Sequence, residues 1–157
     1  MRGVRRIDAR DARSRAPDPP AGPRRPDRSE SPAAFEIETR GEWTWGRAEG
    51  IDARQLRRLR RGEIATDRRV DLHGLDAAAA RVAVRRAIQS ALDADERCVL
   101  LVHGRGHRSV AGPVLKRALP GWLAEPPLGA KVMAFASAPP SEGGPGATRV
   151  LLRRARR

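Results

Sequence analysis

Two regimes of apolar and polar positions divide this chain. Over residues 1–34 large apolar side chains are scarce, while proline and arginine abound. Such a stretch cannot bury enough apolar surface to offset its chain entropy, so it is expected to be disordered. From Arg69 onward, periodic patterns alternate. Residues 70–72 read as a short strand stopped by Gly74. Asp76 can cap a helix over 77–94, along which Val84, Ala87, Ile88, Ala91 and Leu92 recur at helical spacing. Residues 98–102 form a continuous apolar run of strand length, the signature of a buried central strand. A turn at 103–107 leads to a second helix over 112–123, which Pro120 should break or kink. Residues 131–136 and 147–153 read as two further strands, separated by a loop at 139–146. The predicted order is β-α-β-α-β-β, which implies an α/β domain with some parallel pairing and helices packed on the sheet.

Between the tail and this domain, residues 35–69 read as an extension carrying a short basic helix at 51–61. Asp52 can cap it, Leu56 and Leu59 share one side, and Gly62 ends it. Its arginines, Arg54, Arg57, Arg58, Arg60 and Arg61, are candidates for holding phosphates; a solvated polar face is the alternative. Phe35, Trp43 and Trp45 cluster just before it in an aromatic-poor chain. They can anchor the extension on the core or stack nucleic-acid bases. Anchoring is favoured, because a stacking platform normally has a folded sheet beneath it.

Composition narrows the partners. The net charge is +13, spread over tail and core, which favours polyanions through phosphate neutralisation and counterion release. Arginine far outnumbers lysine, which occurs at Lys116 and Lys131 alone, so part of the excess reflects base composition. No amphipathic helix sets large apolar residues opposite a basic face, so nucleic acid is preferred to a membrane. A single cysteine, Cys98, rules out an internal disulfide and a cysteine-rich zinc site, and its apolar neighbours suggest a buried thiol. No segment reads as a signal sequence or a membrane span, and a cytoplasmic location is expected. The lack of tyrosine disfavours an aromatic sheet for base-specific readout, leaving shape and backbone recognition.

Candidate chemistry lies in two loops. Asp71-Leu72-His73-Gly74 ends the first predicted strand and His103-Gly104-Arg105-Gly106 ends the second. Loops at the carboxyl ends of neighbouring parallel strands converge on one sheet edge. His73, His103 and Arg105 are thus expected to share a site. Asp71 and His73 point the same way from a strand, so the carboxylate can orient the imidazole or make a structural hydrogen bond. Gly104 and Gly106 are expected to offer backbone amides to an anion, aided by the N-terminus of the helix near Gly112. A zinc site of His73, His103 and His107 is disfavoured, with no cysteine nearby and glycines between the last two.

Taken together, V-D-L-H-G-L at 70–75, V-L-L-V-H-G-R-G at 99–106, V-L-K-R-A-L-P-G-W-L at 114–123 and G-G-P-G-A-T-R-V-L-L-R-R at 143–154 resemble the small MutS-related (Smr) domain in content, order and separation. Residues 51–64 also look like the lead-in of stand-alone bacterial members. The resemblance implies a βαβαββ two-layer sandwich similar to the C-terminal domain of bacterial translation initiation factor three. It implies domain limits near 70–157 and endonuclease activity on RNA, including messenger RNA at stalled ribosomes, or nicking of DNA. The D-L-H motif falls on Asp71, Leu72 and His73, and the H-G-x-G motif on His103, Gly104, Arg105 and Gly106. The glycine-rich block falls on Gly143, Gly144 and Gly146, as phosphate-binding positions. Relatives often carry lysine where Arg105 stands.

The expected mechanism gives His73, oriented by Asp71, a role as general base or acid, with His103 as its partner. Arg105 and the glycine amides hold the scissile phosphate. Two histidines can cleave RNA through its 2′-hydroxyl without metal, so no cofactor or metal site is expected; a divalent metal enters only if DNA is the substrate. The alternatives are a non-catalytic module docking on RNA or the ribosome, and a DNA repair or recombination factor. No G-x-x-x-x-G-K-[ST] loop is present and no ATP use is expected.

Overall fold

The computed structural model describes residues 34–105 and 113–154. The expectations for the tail, for Gly106, His107 and Gly112, and for the last three residues lie outside them. Twelve residues before the first predicted strand already belong to the sheet. Strands β1 (Phe35–Arg40) and β2 (Trp43–Ala48) form a hairpin. They are followed by α1 (Ala53–Arg60), β3 (Arg68–Asp71), α2 (Ala77–Asp93), β4 (Cys98–Val102), α3 (Val114–Ala124), β5 (Val132–Ser137) and β6 (Ala147–Leu152). The sheet order is β1-β2-β5-β6-β4-β3. Only β3 and β4 run parallel; the other neighbours are antiparallel. From β3 onward the order is the expected β-α-β-α-β-β.

Alternation along the central strands sorts side chains to two faces. Val99 and Leu101 of β4, Val150 and Leu152 of β6 and Phe135 of β5 point to one face. There they pack with Val84, Ile88 and Ala91 of α2 and Leu115, Leu119 and Leu123 of α3. Asp76 caps α2 by accepting from the Ala79 N–H at 2.8 Å. The opposite face carries Cys98, Ala134, Ala136 and Leu151, covered by Leu56 and Leu59 of α1 and by Trp45. Asp52 caps α1, accepting from the Arg54 N–H at 2.9 Å. The buried Cys98 thiol is pushed up to about 11, chiefly by desolvation.

The structure corrects two readings. Residues 35–48, read as an extension anchored on the core, are strands of the sheet itself: β2 pairs with β5 through Trp45↔Ala136 and Arg47↔Ala134, and Trp45 packs into the core. The hairpin turns through Gly41 and Glu42, with Gly41 at φ +60° as a two-residue turn of this kind requires. Gly46 lies opposite Phe135, whose ring fills the space a β-carbon would need, at 2.7 Å, and stacks on Phe35 at 5.9 Å. The second concerns the break expected at Pro120, since α3 runs on through it to Ala124. Its missing N–H forfeits one bond to Lys116, but buried Leu119 and Leu123 on either side keep the helix seated on the sheet.

Candidate nucleic-acid site

The parallel pairing of β3 with β4 brings the two motif loops together as expected. The ladder runs past the strand ends, with the Leu72 N–H donating to Val102 O at 2.7 Å. β6 begins at the same edge beside β4, so the glycine-rich block joins them there. In the first loop Leu72 is buried, while Asp71, His73 and Gly74 are exposed. Asp71 Oδ1 accepts from the backbone N–H of His73 at 2.8 Å. Of the two roles open to Asp71, the structure therefore displays the structural one: it fixes the turn that presents His73. Gly74 completes that turn at φ +84°.

His103 has a different environment. It is only 6% exposed. Its Nδ1 lies 2.7 Å from Gly104 O and its Nε2 3.0 Å from Thr148 Oγ1. A carbonyl oxygen only accepts, so Nδ1 carries the proton and the Thr148 hydroxyl donates to Nε2. Both ring nitrogens of the neutral imidazole are thereby engaged. Burial, the main cause, holds its pKa below the ordinary 6.5; nearby Lys116 lowers it further and the Gly104 carbonyl opposes both. The expected acid–base partner of His73 is thus a buried ring whose two nitrogens are engaged within the protein. The neutral form is favoured in the folded state, so His103 contributes stability in full above its ordinary value. That contribution is lost as pH falls through the depressed value. We therefore expect the melting temperature to decline from about pH 7.5 to about pH 5 less steeply in a His103→Gln variant than in the parent, as thermal unfolding at several pH values would show.

The glycines also serve structure. Gly146 O accepts from both His103 N–H at 3.0 Å and Gly104 N–H at 2.8 Å. The Gly104 amide, expected to meet an anion, is thus committed to the glycine block. Within that block Gly144 N–H donates to Pro139 O at 3.1 Å and Gly146 N–H to Gly143 O at 3.1 Å, while Gly143 N–H points to Pro140 O at 3.4 Å. Gly143 and Gly144 hold φ of +117° and +56°, a conformation that glycine adopts at little cost. The lack of side chains at Gly144 and Gly146 makes room for Arg105. A methyl group on Gly144 would sit 3.3 Å from the Arg105 guanidinium and 3.9 Å from the Trp43 ring, and one on Gly146 would meet the Arg105 stem at 3.4 Å. Exposed Arg105 thus lies along a glycine track, its charge free of the glycine amides.

Arg105 also lines a cleft of about 530 Å³ with Lys116 and Arg117 of α3 and Thr39 and Thr44 of the hairpin. Lys116 is held 3.7 Å from Glu42. Arg54, Arg57, Arg58 and Arg60 of α1 and Arg61 at its C-terminal cap are all exposed, and Arg60 lies over the Trp45 ring at 3.7 Å. Among the described residues, no three His, Cys, Asp or Glu side chains gather as metal ligands.

Two residues carry weight that sequence reasoning passed over. Thr148 completes the His103 pair. Arg149 is fully buried, donating to Leu59 O at 2.8 Å, to Ile64 O and to Thr66 Oγ1 at 3.3 Å. Its Nε meets Glu142 Oε1 at 3.0 Å as an ion pair without hydrogen-bond alignment. Both stand in the G-A-T-R run at 146–149, at the start of β6.

The family model of the Smr domain matches residues 70–153. Two proteins named ribosome rescue factor SmrB, from Shewanella sp. (strain ANA-3) and Shewanella baltica (strain OS195), are each 36% identical over 104 residues. The match takes in 66% of this chain and 54% of theirs, so the chain spans about half the length of these curated relatives. The crystal structure of YdaL, a stand-alone small MutS-related protein from Escherichia coli, is similar with a TM-score of 0.59 and 32% identity. That likeness covers 70% of this chain and 82% of that one. The chain belongs to the Smr domain family.

Proposed function

We propose that this protein is a nucleic-acid-binding endonuclease that cleaves RNA, with messenger RNA on the ribosome as its setting and the cytoplasm as its location. The carrying observation is the convergence at one sheet edge of an exposed imidazole, His73, and an exposed guanidinium, Arg105. His73 is the proton-transfer group: it takes the proton of a 2′-hydroxyl as that oxygen attacks the neighbouring phosphorus, the bond from phosphorus to the 5′-oxygen breaks, and the departing oxygen takes a proton from water, leaving a 2′,3′-cyclic phosphate. Arg105 holds the phosphate and the charge that develops on it. Asp71 acts by fixing the backbone of the His73 turn. His103 is a positioning residue, tying the Arg105 loop to β6 through Thr148 and Gly146. The names of the SmrB relatives support the ribosomal setting, and the net charge of +13 supports a polyanionic partner.

One observation favours a second reading, a module that binds RNA without cutting it: the His103 ring and the Gly104 amide are already satisfied within the protein. Incubation of the purified protein with end-labelled RNA, single-stranded DNA and supercoiled plasmid, each with magnesium and with chelator, separates the readings. Cleavage of RNA that persists in chelator is expected. Magnesium-dependent nicking of plasmid alone would replace RNA by DNA as substrate, and binding without cleavage of any of the three would select the module.

A further inference from the structure

On the face of the sheet opposite α2 and α3, the hairpin and α1 enclose a second cleft, of about 380 Å³. Its walls include Trp43 and Trp45 on one side, Arg57 and Arg61 on the other, and Ser137 and Pro139 at the end of β5. Arg60 is occupied by the Trp45 ring, and together they make a flat, rigid wall. Trp45 is buried, but Trp43 remains 38% exposed, the largest apolar side chain left open among the described residues. The sequence argued against stacking because no sheet was expected beneath these aromatics. The structure removes that objection, since β2 is hydrogen-bonded into the sheet through β5.

We propose that this cleft binds an unpaired nucleotide, with the exposed Trp43 ring stacking on the base and Arg57 and Arg61 taking the adjoining phosphate. The proposal deepens, and rests on, the nucleic-acid function above. Arg57 and Arg61 are exposed, Arg61 within 3.8 Å of the exposed Glu63 carboxylate, and a stacking surface beside exposed guanidinium groups is the combination that selects single strands, because a base inside a duplex has both faces covered by its stacked neighbours. The cleft also adjoins the motif edge, since Trp43 and Arg105 approach the same glycine, Gly144. A strand whose phosphate lies on Arg105 would thus pass its neighbouring base to Trp43. Stacking is indifferent to base identity, so the cleft reads strandedness and not sequence.

The test is binding of a six-nucleotide oligouridylate, the matching oligodeoxythymidylate and an RNA duplex to the full chain carrying His73→Ala, so that association is read without cleavage. Tryptophan fluorescence should be quenched by both single strands and weakly by the duplex; a response to oligouridylate alone would support the same cleft with RNA as its source of nucleotides. Trp43→Leu should weaken single-strand binding roughly tenfold or more, and Trp43→Phe should restore most of it. Arg57→Ala with Arg61→Ala should lower the slope of log affinity against log salt by about one. Circular dichroism of each variant confirms that the hairpin is folded. Unchanged affinity in folded Trp43→Leu, or duplex bound as tightly as single strands, would overturn the proposal. If the wild type cleaves RNA while Trp43→Leu binds normally, the cleft fails and the proposed function stands. Trp43-dependent binding without cleavage by the wild type would do the reverse.

Discussion

Replacing His73 by alanine is expected to lower RNA cleavage at saturating substrate by roughly 10²–10⁴-fold, the usual loss on removing a positioned acid or base. Melting temperature and affinity should stay close to those of the parent. The reasoning is that His73 is exposed and that the turn beneath it is held by Asp71 through the backbone N–H, which alanine retains. His103→Ala supplies the contrast. It would leave Gly104 O and the Thr148 hydroxyl without their partner in a buried place, at a cost of about 1–3 kcal/mol, with activity and stability falling together. Measured side by side, cleavage rate and thermal unfolding separate a group that does chemistry from one that holds a loop. Turnover at the parent's rate by the His73 variant would exclude it from the mechanism and leave the binding module as the better reading.

Replacing Arg149 by methionine is expected to be the most destabilising single change of those considered, at about 3–5 kcal/mol, the cost of breaking a buried charged pair from one side. The substitution preserves volume but leaves Leu59 O, Ile64 O, Thr66 Oγ1 and the Glu142 carboxylate facing an apolar side chain. For a domain of this size the melting temperature should fall by more than roughly 10 °C. Arg149→Lys keeps the charge but not the planar fork that reaches several acceptors, and should fall in between. Urea unfolding followed by circular dichroism measures both. A loss below about 1 kcal/mol for Arg149→Met would mean that the tie between α1 and the sheet is incidental.

Where the period of the apolar residues was unambiguous, the elements were legible before any coordinates. Residues 98–102 and the face of Val84, Ile88 and Ala91 took their places as read, because burial on one side leaves a periodic trace. The hairpin left a fainter one. Phe35, Ile37 and Thr39 do alternate with Glu36, Glu38 and Arg40, and Gly41 marks the turn, but the charges lie on an exposed strand and the aromatics read as anchors of an extension. Loop convergence was foreseeable from parallel pairing alone. The fate of each polar group within it was not, because Gly104 N–H and the His103 ring find their partners across the sheet at Gly146 and Thr148, more than forty residues away. Arg149 was hidden by its company: in so arginine-rich a chain, one inward-facing guanidinium looks like the many that face water.

The hairpin also sets where this protein can be cut. The family match begins at residue 70, yet β5, with the sequence Val-Met-Ala-Phe-Ala-Ser, is flanked on one side by β6 and on the other by β2. A fragment starting at Val70 would strip β2 away and leave that apolar strand as a bare ladder of amide and carbonyl groups, open to the same strand of another molecule. It would also lose α1, baring Cys98, Ala134, Ala136 and Leu151. In the intact chain the outermost strand is instead β1, bearing Glu36, Glu38 and Arg40, whose charges make it a poor template for addition. We therefore expect a fragment starting near Phe35 to remain monodisperse in size-exclusion chromatography where one starting at Val70 self-associates, the hairpin being the guard that keeps neighbouring copies from zipping together.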